Sequence, residues 1–160
     1  METETRQKIL VATDFSEGGD EALTQAMEMA ATTRAAIELV HVIVPSEEFA
    51  YDSVHFDLAP GALYLSIDRR LSERADRVKA AGLACTTKIL EGSAVAEITQ
   101  RARSIDADLI VVGTHGRTGL NRAMMGSVAE RVVRRASCPV LTVHSPGRRP
   151  SDADSSRGCA

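Results

Sequence analysis

Four short, almost unbroken apolar runs recur along this chain with helical patterns between them, and no other feature constrains the fold as much. The runs are Lys8-Ile-Leu-Val-Ala-Thr13, Ile37-Glu-Leu-Val-His-Val-Ile-Val44, Leu109-Ile-Val-Val112 and Pro139-Val-Leu-Thr-Val143. All are rich in Val and Ile, too short for helices, and suited to strands covered on both faces. Ala84-Cys-Thr-Thr-Lys-Ile-Leu90 is a fifth candidate that alternates more, as expected toward a sheet edge.

Between the runs the apolar period changes to that of a helix. Ala22, Leu23, Ala26, Met27 and Ala30 recur at helical spacing within residues 18–33. Ile67, Leu71, Ala75 and Val78 do so within 61–81, where Gly82 is placed to end the helix. Val95, Ile98, Ala102 and Ile105 line a third helix, and Val128, Val132 and Ala136 a fourth that starts at Ser127. The order βαβαβαβαβ predicts an α/β fold: a single-domain, doubly wound, parallel sheet with right-handed crossovers and helices on both faces, in three α/β/α layers. A chain of 160 residues suits one domain.

Residues 45–60 show no period and hold Phe49, Tyr51 and Phe56, three of the five aromatic residues, so this connection reads as a lid, a binding loop or a mobile link. Residues 145–160 contain no Val, Ile, Leu or aromatic side chain and are expected to be a disordered tail, with Cys159 an exposed thiol. Residues 1–6 are expected to be a flexible N-terminus, and residues 7–144 the folded domain.

Composition excludes several classes. The net charge of −3 argues against sequence-independent DNA binding through a basic face, and five aromatics are too few for a base-stacking platform. No apolar run reaches the roughly 18 residues of a membrane helix, and the acidic, polar start is unlike a signal peptide. Cys85, Cys138 and Cys159 form no CxxC and are odd in number, which argues against a zinc knot or a disulfide framework. The expectation is a cytoplasmic protein without nucleic-acid or membrane partners.

In an open parallel sheet, ligands bind at the carboxyl ends of the strands where successive crossovers diverge. Two turns there stand out. After the fourth run comes Gly113-Thr-His-Gly-Arg-Thr-Gly-Leu-Asn-Arg-Ala-Met-Met-Gly-Ser127. Gly113 lets backbone approach backbone or ligand, Gly116 and Gly119 permit an anion-binding nest, and Arg117 and Arg122 add positive charge. Gly126-Ser127 opens a helix whose first amides favour phosphate. Ser127 with Glu130 also reads as a capping box, a purely structural device. The loop lacks G-x-x-x-x-G-K-[ST] and G-x-G-x-x-G, so it is neither a Walker A loop nor the dinucleotide fingerprint. It fits G-x₂-G-x₉-G-[ST], through Gly113, Gly116, Gly126 and Ser127. The second turn is Ala12-Thr-Asp14, where Asp14 also suits a turn cap and Ser16 a helix cap.

With that pattern, the chain resembles the universal stress protein family in its ATP-binding branch. The resemblance spans residues 7–144 and includes Ile9-Leu-Val-Ala-Thr-Asp-Phe-Ser16, Leu39-Val-His-Val-Ile43, Ala107-Asp-Leu-Ile-Val-Val-Gly-Thr-His-Gly116 and Ser137-Cys-Pro-Val-Leu-Thr-Val143. It implies a five-stranded, Rossmann-like sheet in the order 3-2-1-4-5, which sets strands one and four side by side. It implies that Ala12, Thr13 and Asp14 face adenine and ribose, with Asp14 accepting from a hydroxyl or helping to place hydrated Mg²⁺. Val42 would contact adenine. Gly113, His115, Gly116 and Arg117 would follow the ribose and phosphates, and Gly126, Ser127 and Val128 would close on the phosphates. The function implied is that of an ATP-dependent regulator in stress response, acting on an unknown protein partner.

Two alternatives stand beside it. One is a slow ATP-hydrolysing or adenylating enzyme of related fold, although Ser16-Glu-Gly-Gly-Asp-Glu21 only superficially resembles a pyrophosphatase loop. The other is an assembly module in which Pro139–Val143 is an unprotected edge strand, and family resemblance implies a homodimer through it. His41 reads as a satisfied core residue, His55 and His144 lack partner spacing, Cys138 reads as structural, and Met124-Met125 as packing residues.

Overall fold

In the computed structural model, which describes residues 7–45, 60–114 and 126–144, five strands and four helices alternate strictly. They are β1 (Lys8–Ala12), α1 (Glu17–Thr33), β2 (Ala36–Ile43), α2 (Pro60–Ala80), β3 (Cys85–Glu91), α3 (Ala94–Ser104), β4 (Leu109–Gly113), α4 (Ser127–Arg135) and β5 (Val140–Val143). The expected flexible N-terminus (1–6), the loop at 46–59, most of the glycine-rich turn (115–125) and the tail at 145–160 lie outside the described residues.

The strands form one parallel sheet in the order β3-β2-β1-β4-β5. Alternation along each strand divides its side chains between the two faces. Ile9, Val11, Ile37, Leu39 and Val111 pack against Leu23 and Ala26 of α1 and Leu71 and Val78 of α2. Leu10, Val40, Ile110 and Val112 pack against Val95 and Ile98 of α3 and Ala129 and Val132 of α4. Leu10 and Val11 are both wholly inaccessible to solvent, which is why β1 reads as an unbroken apolar run. β3 sits at the edge, where Thr86, Thr87 and Lys88 are exposed, as its alternation predicts.

The helix ends follow local chemistry. Ser16 caps α1 by accepting from the Gly19 amide at 3.2 Å. Beyond α2, Gly82 adopts φ 78°, and the amides of Gly82 and Leu83 return to the carbonyls of Lys79 and Val78. That double closure satisfies carbonyls which a helix end would leave without donors. Two cross-element ion pairs tie helices down: Arg74 of α2 grips Asp20 of α1, and Arg101 of α3 grips Glu38 of β2 with two bonds. The bond to Glu38 holds the Arg101 guanidinium still more firmly protonated.

Several strand boundaries differ by a residue from the sequence pattern. β1 ends at Ala12 and β2 at Ile43, one residue before the apolar runs stop. β5 begins at Val140, because Pro139 has no N–H for the ladder, although its carbonyl accepts from the Ile110 amide at 3.0 Å.

Candidate functional site

At the carboxyl ends of the central strands, β1 and β4 stop pairing with each other and turn outward. The Thr13 amide donates to Val40 of β2 at 2.9 Å, whereas the Thr114 amide donates to Val143 of β5 at 2.8 Å. With the last amides of both strands committed to outer neighbours, a crevice opens between them. Thr13, Asp14 and Ala12 form one wall, Gly113 and Thr114 another, and Gly126, Ser127, Val128 and Ala129 at the start of α4 the third. Val40, Val42, Val112 and Ile98 supply an apolar floor. The cleft has a volume of about 300 Å³, at the small end of the range of roughly 300–1,000 Å³ typical of ligand sites. A depression of about 270 Å³ lined by Ala31, Arg34, Ala35 and Leu83 lies at the opposite, amino ends of β2 and β3, away from the strand ends that bind ligands in such sheets.

The Thr13–Ser16 turn is closed on itself. Thr13 Oγ1 accepts from the Phe15 amide at 3.0 Å, and Asp14 Oδ1 accepts from both the amide (3.0 Å) and the hydroxyl of Ser16. The turn forces Phe15 to φ 64°, a left-handed conformation unusual for a bulky side chain. Its ring is buried, stacked on His41 at 4.5 Å and flanked by the Arg70 and Arg74 guanidiniums at 4.2 and 4.9 Å. His41 Nδ1 stands 2.8 Å from the Thr13 carbonyl; a carbonyl only accepts, so the ring donates from Nδ1.

On the other wall, the Thr114 carbonyl accepts from the Gly126 amide at 2.6 Å, latching α4 to the end of β4. The first intrahelical bond of α4 runs from the Glu130 amide to Gly126, at 3.0 Å. The amides of Ser127, Val128 and Ala129 therefore precede the helical ladder, at the cleft, on the electropositive end of α4. Amides at a helix start, an apolar floor and one carboxylate suit a ligand with an anionic end, an apolar ring and hydroxyls. Among the described residues no cluster of three or more His, Cys, Asp or Glu is arranged to hold a metal ion.

A family model described as the universal stress protein family matches residues 5–144. The chain belongs to this family. The universal stress protein MJ0531 of Methanocaldococcus jannaschii is 35% identical over 141 residues, covering 88% of this chain and 83% of that protein. Among solved structures, MJ0577 of the same organism superposes with a TM-score of 0.75 at 28% identity, over 91% of this chain and 98% of that one. A universal stress protein solved in complex with cAMP superposes with a TM-score of 0.67 at 30% identity, over 87% and 97% of the two chains.

Of the residues expected at a universal stress protein site, Ala12, Thr13, Asp14, Val42, Gly113, Gly126, Ser127 and Val128 all border the one cleft. His115, Gly116 and Arg117 lie outside the described residues. The capping-box reading is not met: Gly126, not Ser127, is the N-cap of α4, and no side chain caps it. The two described glycines of the motif serve the backbone. A Cβ on Gly113 would stand 2.7 Å from the Gly18 carbonyl group, and one on Gly126 would stand 2.7 Å from the Thr114 oxygen.

Sequence patterns did not single out Thr114, which is buried and also places Oγ1 2.6 Å from His144 Nδ1. Its only signal was its place next to Gly113. His41 is hydrogen-bonded to the Thr13 carbonyl and stacked on Phe15 as expected of a satisfied residue, but it is not a core residue: it is half-buried and lines the cleft.

Proposed function

We propose that this chain binds ATP in the cleft between β1 and β4 and acts as a nucleotide-dependent regulator in stress response. The observation that carries the reading is the divergence of Thr13 and Thr114, which opens a crevice between an apolar floor and the amides that start α4. In this reading adenine lies against Val42, and Asp14 accepts from a ribose hydroxyl. The phosphates reach the Ser127 and Val128 amides, with His115, Gly116 and Arg117 following them from the glycine-rich turn. Mg²⁺ arrives on the phosphates. That a universal stress protein 30% identical to this chain was solved in complex with cAMP supports an adenine nucleotide as the ligand. The reading includes a cytoplasmic location; among the described residues no helix is long and apolar enough to cross a membrane.

Isothermal titration with ATP and Mg²⁺ tests it. Saturable, one-to-one heat is expected, and its absence at millimolar ATP would end the reading.

The edge of the sheet supports a second, compatible role as a dimeric module. β5 has a neighbour on one side only, and Val128 and Val133 of α4 are exposed. A strand in this position is normally covered or paired, and a two-fold homodimer through Pro139–Val143 would pair it. Light scattering at micromolar concentration is expected to give twice the chain mass, and the regulatory protein partner would then meet a dimer.

A further inference from the structure

The β1–α1 turn contains a hydrogen-bond relay that ends on Asp14. The Gly19 amide, in the first turn of α1, donates to Ser16 Oγ at 3.2 Å, and the Ser16 hydroxyl donates in turn to Asp14 Oδ1. The Ser16 amide donates to that same oxygen at 3.0 Å. A hydroxyl has a single proton, so Ser16 commits it to the carboxylate while its lone pair caps the helix. A donor that is itself accepting a bond becomes a stronger donor, and the start of a helix favours a carboxylate beside it.

The packing closes the same side. A Cβ on Gly19 would meet Thr13 Oγ1 at 2.8 Å and Asp14 Oδ1 at 3.2 Å, so only a residue without a side chain lets α1 approach this oxygen. Two donors and the helix start thus fix Oδ1, and with it the plane of a carboxylate that lines the cleft.

We infer that Ser16 is a positioning residue: it orients Asp14 toward a sugar hydroxyl and so sets the preference of the site for ribose over deoxyribose nucleotides. This rests on the nucleotide reading above. Asp14 touches the ligand in that reading; Ser16 acts only through it.

The test separates positioning from capping. Ser16→Asp keeps an N-cap acceptor for the Gly19 amide but has no hydroxyl proton for Asp14. Repulsion between its added charge and the triphosphate is common to all three nucleotides, so a change in their ratio reports on Asp14. Ser16→Thr retains both functions. Calorimetry of the full chain with ATP, 2′-deoxy-ATP and 3′-deoxy-ATP gives the ratio for each variant. In the unsubstituted protein at least one deoxy analogue is expected to bind about tenfold more weakly than ATP, the range of one hydrogen bond to a charged group. In Ser16→Asp that gap should shrink to about twofold, with melting temperature retained, and Ser16→Thr should restore it. If Ser16→Asp keeps the full gap, or if the unsubstituted protein binds all three equally, Ser16 merely caps α1 and this inference alone is overturned. If the unsubstituted protein binds none of the three, the nucleotide reading fails and the inference falls with it.

Discussion

Replacing Gly126 by alanine distinguishes a glycine kept for a ligand from one kept for the backbone. An alanine Cβ at this position stands 2.7 Å from the Thr114 carbonyl oxygen, whereas ordinary contacts begin at 3.4 Å. That oxygen is main chain at the end of a central strand and cannot rotate away. The start of α4 must therefore move outward by several tenths of an ångström, stretching the 2.6 Å bond from the Gly126 amide. Overpacking of this kind costs about 1–3 kcal/mol, and weakening the latch adds about 1 kcal/mol. A total of about 2–4 kcal/mol corresponds to a fall in Tm of roughly 4–16 °C for a domain of this size. Thermal and urea melts followed by far-ultraviolet circular dichroism measure it, and amide exchange along α4 should quicken in parallel. Nucleotide affinity should fall as well, because the amides of Ser127 and Val128 move with the helix start. A variant that melts within about a degree of the parent yet loses ATP would refute the reasoning, since the glycine would then matter to the ligand alone.

Three other outcomes are expected. Gly113→Ala drives a Cβ against the Gly18 carbonyl group and the Gly19 amide; it should destabilise by about 2–4 kcal/mol in urea melts and is not relieved by ligand. Glu38→Gln leaves the Arg101 guanidinium of α3, whose side chain is 25% exposed, without its carboxylate, and should cost about 2–3 kcal/mol, measured as a lower urea midpoint with unchanged slope. Burial raises the thiols of Cys85 and Cys138 above the ordinary 9.0, with the charge of Asp108 adding to the effect at Cys138 and Lys79 opposing it at Cys85. The unfolded chain therefore loses these protons first, so stability holds below pH 9 and declines as pH rises through the folded values; Cys85→Val should flatten that decline in melts taken between about pH 8 and 10.5.

What could be read from residue order was local. Val/Ile runs marked the strands, the alternation in residues 84–90 marked an edge, and Gly82 and Ser16 marked helix ends, because each of these signals is confined to one element. What escaped depends on atoms far apart in the chain. Gly113 is a glycine because α1 passes over it, and nothing near Gly113 in sequence announces Gly18. The Gly18-Gly19 pair resembled part of a different phosphate loop, yet Gly19 makes room for Thr13 and Asp14. Thr114 has no motif at all; its role comes from Val143, His144 and Gly126 converging on it. Asp14 and Ser127 could be named as site residues from the glycine pattern and the family likeness, but their meeting in one cleft required the 3-2-1-4-5 strand order.

The parting of Thr13 from Thr114 is written in peptide groups, which every residue except proline carries alike. Drift in side chains can repaint the interior of such an opening without sealing it. A fold with this property can keep one doorway while its tenants change, and the TM-score of 0.75 with MJ0577 at only 28% identity fits that economy.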